Sequence, residues 1–167
     1  MKDNQPAVEP QVLRATMRQW TTGVAVLSSC HADQQHGMTV SSFTSVSLDP
    51  PEVLVSLSRL SRAHALVARS GVFGVTILAE EQREIAERFA GRTPDEADRF
   101  VGLETFPLVT GSPFICGGLA FLDCEVSRTI ATGGNTLFFG RVIAAQAGQD
   151  GKPLVYHQQG YQQLNGL

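Results

Sequence analysis

Along the chain the apolar residues recur with two periods, and the period changes from segment to segment. Between Pro10 and Gly23, the residues Leu13, Met17 and Trp20 fall four and three apart, which is one face of a helix opened by Pro and stopped by Gly. A helix packed across a sheet is expected there. Segments 24–28, 38–47, 52–58 and 72–78 are instead rich in Val, Ile, Phe, Ser and Thr, and are separated by CHADQQHG, DPP and SRLSRAHALVARSG. They read as antiparallel strands with one short helix. From Glu80 to Phe89, EEQREIAERF opens with acids and sets Ile85 and Phe89 on one face, predicting a surface helix that covers the sheet. Thr93, Pro94 and Glu96 then predict a capped helical turn. Segments 117–129 and 136–146 read as long strands. In the first, Ala120, Leu122, Cys124 and Val126 alternate with Leu119, Phe121, Asp123 and Glu125, so one face passes from apolar to acidic. With strands outnumbering helices and no βαβ alternation, the fold class is mainly β with peripheral helices, a closed or split barrel.

Composition adds limits. A length of 167 residues suits one domain, 1–167, with residues 1–9 as a flexible lead. Hydrophobic residues make up 43% and charged residues 17%, with a net charge of -3, which gives no footprint for nucleic acid. So little charge on a small domain implies an apolar face covered by a second subunit, hence a homodimer. The start, MKDNQPAVEP, lacks an apolar signal core, and no run approaches the ~18 apolar residues of a membrane span. A cytoplasmic location without membrane contact is expected. Cys30, Cys116 and Cys124 lack CxxC spacing and read as buried reduced thiols. His31 and His36 flank a polar turn, which makes no metal site.

The chemistry concentrates in GMTVSSFTSVSLDPP, residues 37–51. Val40, Phe43, Val46 and Leu48 can fill a sheet, but six hydroxyl residues lie between them, and each needs a partner once water is excluded. Neither GxGxxG nor GxxxxGK[ST] is present, so the phosphate-cradling turns of those motifs are absent. After DPP, the residues Ser58, Arg59, Ser61, Arg62 and His64 cluster at the start of the short helix. Hydroxyls, cations and helix N–H groups together suit a phosphate.

GMTVSSFTSVSLDPP, the following LVSLSRLSRAHALVARSGVFGVTIL, TLFFGRV and PLVYH occur in the order found in the flavin reductase-like family, and from Met17 to Tyr161 the chain resembles its members. These are small reductase components of two-component flavin-dependent monooxygenases. The resemblance implies a split, Greek-key antiparallel β-barrel homodimer that binds FMN or FAD and oxidises NADH or NADPH. It implies that Thr39, Val40, Ser41 and Ser42 meet the flavin ring, that Ser56, Leu57 and Ser58 follow its ribityl chain, and that Ser61, Arg62 and His64 reach its phosphate. Arg59 assists or faces water. Asn135 stands where many members have His, either contacting nicotinamide or flavin or closing the GGNT turn, while Tyr156 and His157 close the site. Phe89 pins its helix, and Arg99 pairs with Asp95 or Glu96. The implied function is an NAD(P)H:flavin oxidoreductase that supplies reduced flavin to a partner monooxygenase. The alternatives are an oxidase of the pyridoxamine-phosphate type and a non-catalytic flavin- or haem-binding barrel.

Overall fold

The computed structural model describes residues 8–91 and 98–164. The capped turn expected at Thr93–Glu96 and all of the lead except Val8 and Glu9 lie outside the described residues. In chain order the elements are α1 (Pro10–Met17), β1 (Thr22–Gly23), β2 (Ala25–His31), β3 (Gln34–Val40), β4 (Thr44–Leu48), β5 (Pro51–Ser58), α2 (Arg62–Ser70) and β6 (Val72–Ile77). A 3-10 turn at Glu80–Gln82 leads into α3 (Arg83–Phe89), followed by β7 (Thr105–Pro107), β8 (Pro113–Ile115), β9 (Ala120–Thr132), β10 (Asn135–Ala147), β11 (Val155–His157) and β12 (Gly160–Gln162).

Seven strands form one sheet in the order β3-β2-β6-β9-β10-β5-β4, and every pairing in it is antiparallel. Its two edge strands, β3 and β4, are consecutive in the chain and joined by residues 41–43 alone. Laid flat, seven strands would hold those edges about 29 Å apart. The link from Val40 to Thr44 reaches no more than about 15 Å. The sheet therefore coils until its edges approach each other at Ser41–Phe43. Alternation along β2 feeds two cores. Ala25 and Leu27 pack inward with Val55, Leu57, Phe73, Val75, Cys124 and Phe138. Val24 and Val26 pack outward with Leu78, Ala86, Phe89, Phe100, Ile115 and Leu154, under α3.

Several expectations are corrected. Helix α1 has no buried residue, and Leu13, Met17 and Trp20 are 56%, 53% and 68% exposed. Periodicity marks an apolar stripe without saying what covers it, and nothing among the described residues does. The run 38–47 is two strands, because the chain bends after Val40 and crosses from one sheet edge to the other. His31 and His36 do flank a turn, and both lie on strands: β2 and β3 form a tight hairpin that turns at Ala32, φ 51°, and Asp33. The acidic face of β9 is also not simply solvated. Glu125 pairs with Arg141 at 2.6 Å, but Asp123 is fully buried. Its carboxylate accepts from Val109 N at 2.7 Å, Thr110 N at 2.8 Å and Thr110 Oγ1 at 2.6 Å.

As expected, α3 places Phe89 in the core, where it meets Phe100 edge-on at 4.9 Å. Arg99 Nη1 donates to Phe89 O at 2.8 Å and Gly37 O at 3.3 Å; Asp95 and Glu96, its expected partners, lie outside the described residues. The three cysteines are unpaired, but only Cys124 is buried, Cys30 and Cys116 being half-buried. Among the described residues no group of three or more His, Cys, Asp or Glu is placed to hold a metal, and no helix is long and apolar enough to cross a membrane.

Burial, aided by the charge of Asp123, pushes the Cys124 thiol up from 9.0 to about 12. The neutral thiol's contribution to stability is full below the unfolded value near 9 and is lost as pH climbs from there toward the folded one. The urea midpoint should therefore fall over that window, and the fall should be smaller in Cys124→Ala, each variant being referred to its own midpoint at pH 8. Equal alkaline losses in the two proteins would count against it.

Candidate functional site

The bend between β3 and β4 brings several of the singled-out residues together. Thr39 Oγ1 donates to Ala86 O in α3 at 2.7 Å, tying the strand end to the helix. Val40 turns into the core, whereas Ser41 is exposed. Ser42 Oγ donates to Ser56 O at 2.9 Å and accepts from Ser56 N at 3.3 Å, which bridges the bend to β5. Ser56 Oγ in turn accepts from Asn135 Nδ2 at 3.0 Å. Along β5 the side chains alternate, so Ser56 and Ser58 face outward while Leu57 is fully buried; anything Leu57 offers a ligand comes from its backbone. The six hydroxyls thus have varied roles. Thr44, Ser45 and the neighbouring Val46 and Leu48 are exposed along the edge strand β4, and Ser47 Oγ accepts from Asp49 N at 3.2 Å.

Asn135 does not occupy the left-handed position of the GGNT turn. Gly133 does, at φ 49°, and Asn135 opens β10 paired with Ser58. At that same end of β5, Ser58 O accepts from Ser61 Oγ at 2.8 Å. Ser61 caps α2 by accepting from His64 N at 3.1 Å, as its position before the helix predicts. The His64 ring sits 2.9 Å from Thr136 Oγ1 and edge-on to Phe138 at 5.2 Å, so it is fixed against the sheet. Arg59 donates to Gly133 O. Arg62 turns the other way, toward the β2–β3 hairpin.

A cleft of about 180 Å³ lies on the α3 side of the bend, lined by Thr39, Val40, Ser41, Ala90, Tyr156 and Tyr161 among others. Tyr156 and Tyr161 meet edge-on at 5.4 Å, and Arg83 lies over the Tyr161 ring at 5.8 Å. His157 alternates to the opposite side, its Nδ1 2.9 Å from Thr21 Oγ1. An adjoining cleft of about 130 Å³ shares Val24, Val40 and Ser41 and is lined by Thr22 and Phe43. Two buried hydroxyls, Thr22 Oγ1 and Ser28 Oγ, have no hydrogen-bond partner among the described residues. Ser28 belongs to the interior of β2, but Thr22 borders this second cleft, where an unmet hydroxyl fits a polar ligand. Tyr161, Ala90 and Thr22 are absent from the motif reading. HQQG between two tyrosines is a hairpin signal that could have placed Tyr161 opposite Tyr156.

The flavin reductase like domain matches residues 17–165. The chain belongs to the flavin reductase-like family. This flavin reductase-like chain is 34% identical over 155 residues to the reductase subunit HsaB of a flavin-dependent monooxygenase from Rhodococcus jostii (strain RHA1), covering 93% of itself and 78% of that relative. It is 38% identical over 144 residues to the NADH-dependent flavin reductase StyB of Pseudomonas fluorescens, covering 86% of itself and 82% of that protein. Among solved structures, the styrene monooxygenase flavin reductase of Pseudomonas putida S12 matches with a TM-score of 0.82 at 36% identity, covering 93% of this chain and 97% of that one.

Proposed function

We propose that the chain, one flavin reductase-like domain over residues 1–167, is an NAD(P)H:flavin oxidoreductase. It reduces FMN or FAD with NADH or NADPH and supplies reduced flavin to a separate monooxygenase component. The observation that carries this is the polar line in which Ser42, Ser56 and Asn135 are hydrogen-bonded in series, with Ser41 beside it and Ser58 opposite Asn135 in the ladder, flanked by the tyrosine cleft and the Thr22 hydroxyl, in a chain of this family. A bound flavin supplies the acceptor for hydride, so the chain's own task is alignment and electrostatics.

In this reading Ser41 and the backbone of Thr39–Ser42 address the polar edge of the ring, and Tyr156 and Tyr161 wall it from water. Ser56 and Ser58 follow the chain of the ligand. Its phosphate meets the first turn of α2, whose N–H groups Ser61 holds in place. Asn135 cannot titrate; it orients Ser56 and offers an amide hydrogen bond to nicotinamide or flavin. The coiled sheet is read as the split barrel. Val46 and Leu48, 45% and 90% exposed on the edge strand, together with the stripe of α1, support the homodimer, and the working location is the cytoplasm.

Mixing the protein with NADH or NADPH and excess FMN or FAD under air should give flavin-dependent nicotinamide oxidation. An amine oxidase or a carrier would give none. Ser41 makes no hydrogen bond among the described residues, so its hydroxyl is available to a ligand. Ser41→Ala should weaken flavin binding by about 0.5–1.5 kcal/mol, roughly two- to tenfold. A titration curve superimposable on the parent's would remove Ser41 from the site.

A further inference from the structure

Strand β10 opens with two residues that face opposite ways. Asn135 is exposed, and its Nδ2 donates to Ser56 Oγ at 3.0 Å. Thr136 is buried, and its Oγ1 lies 2.9 Å from Nε2 of His64 in the first turn of α2. The imidazole is held a second way, edge-on to Phe138 two residues further along the same strand, with the ring centres 5.2 Å apart. Meanwhile the His64 backbone N–H donates to the Ser61 cap at 3.1 Å. A single residue therefore joins the start of the helix to the start of the strand. The turn that leads from β5 into α2 is anchored on the same side of the molecule, where Arg59 N donates to Gly134 O at 2.9 Å and its guanidinium to Gly133 O.

Resting on the oxidoreductase reading above, we infer that His64 and Thr136 are a positioning pair that sets the distance between the phosphate seat at α2 and the polar line through Ser56 and Asn135. The family resemblance sends the His64 side chain to the phosphate itself. In this chain the imidazole acts through Thr136 instead. A buried hydroxyl needs a partner once water is excluded, and the His64 ring supplies it across two elements that no backbone pairing joins. Asn135 and Thr136 are adjacent, so any slip of α2 against β10 changes the span from the helix start to the Asn135 amide. Groups that hold a ligand must keep their places to within about 0.5 Å, and supporting contacts such as this one are what keep them there. A flavin that carries a phosphate is bound at both ends and senses that span. Riboflavin, which ends at the ribityl chain, does not.

The test follows nicotinamide oxidation by the full chain with FMN and with riboflavin as acceptors. It compares the parent with His64→Phe, Thr136→Val, Thr136→Ser and the double variant His64→Phe/Thr136→Val. Phe keeps a ring against Phe138 and Val keeps the shape of Thr, so each removes the bond while preserving the packing. Either single change should raise KM for FMN about two- to tenfold, the scale of one hydrogen bond, with kcat and the KM for riboflavin unchanged. The double variant should be no worse than the poorer single one, because both remove the same bond, and Thr136→Ser, which retains the hydroxyl, should match the parent. Should Thr136→Val fail to fold, His64→Phe reads the same bond from its other partner. A contact that is merely structural would lower the melting temperature without separating the two flavins. Equal changes in KM for FMN and riboflavin, additive losses in the double variant, or parental KM for FMN in His64→Phe would overturn the assignment while leaving the oxidoreductase reading in place. A parent that oxidises no nicotinamide with either flavin would remove that reading and the positioning role with it.

Discussion

Asp123→Ala is expected to destabilise the fold by about 3 kcal/mol, because it strands three part-buried donors that one fully buried side chain now satisfies. Val109 N, Thr110 N and Thr110 Oγ1 all converge on that carboxylate, and Thr110 Oγ1 also lies 2.9 Å from Ser112 Oγ, a buried hydroxyl. The loop between β7 and β8 is thus fastened to the middle of β9 by one side chain. For a domain of this size the loss should lower the melting temperature by about 6–12 °C. Asp123→Asn keeps one acceptor oxygen but turns an NH₂ toward donors, so it should fall between parent and Ala. Thermal or urea unfolding of the three proteins decides the matter, and an Ala variant within about 1 kcal/mol of the parent would show that the fastening is dispensable.

Gly37→Val should damage stability and ligand binding together. A Cβ at Gly37 would lie 2.5 and 2.7 Å from Phe89 Cε1 and Cδ1 and 3.0 Å from Phe100 Cζ, and both rings are buried in the outer core. Neither ring has room to retreat. Overpacking of this kind costs about 1–3 kcal/mol, and relief requires α3 to move away from β3. That movement stretches the bond from Thr39 Oγ1 to Ala86 O and displaces Ala90 from the wall of the tyrosine cleft. Flavin affinity should fall with the melting temperature, and Gly37→Ala should show a smaller version of both. Unchanged affinity in a destabilised Val variant would uncouple α3 from the site.

The elements that the sequence made legible are those whose pattern is set by their own neighbours. Strand β5 alternates because Val53, Val55 and Leu57 face the core, and α2 starts where Ser61 can cap it. The flavin-family motifs likewise pointed to the bend and to β5, and the structure joins those segments through Ser42 and Ser56. What stayed hidden depends on partners distant in the chain. Asp123 looks like a surface acid until the loop at Val109 and Thr110 folds over it. Leu13 and Met17 look like core residues because periodicity cannot distinguish a covered stripe from an open one. The direction of Arg62 and the place of Tyr161 follow from how a helix and a hairpin dock, which no local spacing encodes.

The coiling of the sheet has a thermodynamic consequence. Strands β3 and β4 are its least supported members, each with one neighbour, and outer strands open before inner ones. The polar line crosses from one of them to the interior partner of the other. A molecule resting on it acts as a clasp, since its binding energy works directly against fraying of the two margins. Occupancy and closure are then one equilibrium. A reductase that hands its flavin on would alternately fasten and loosen its own coiled sheet with every turnover.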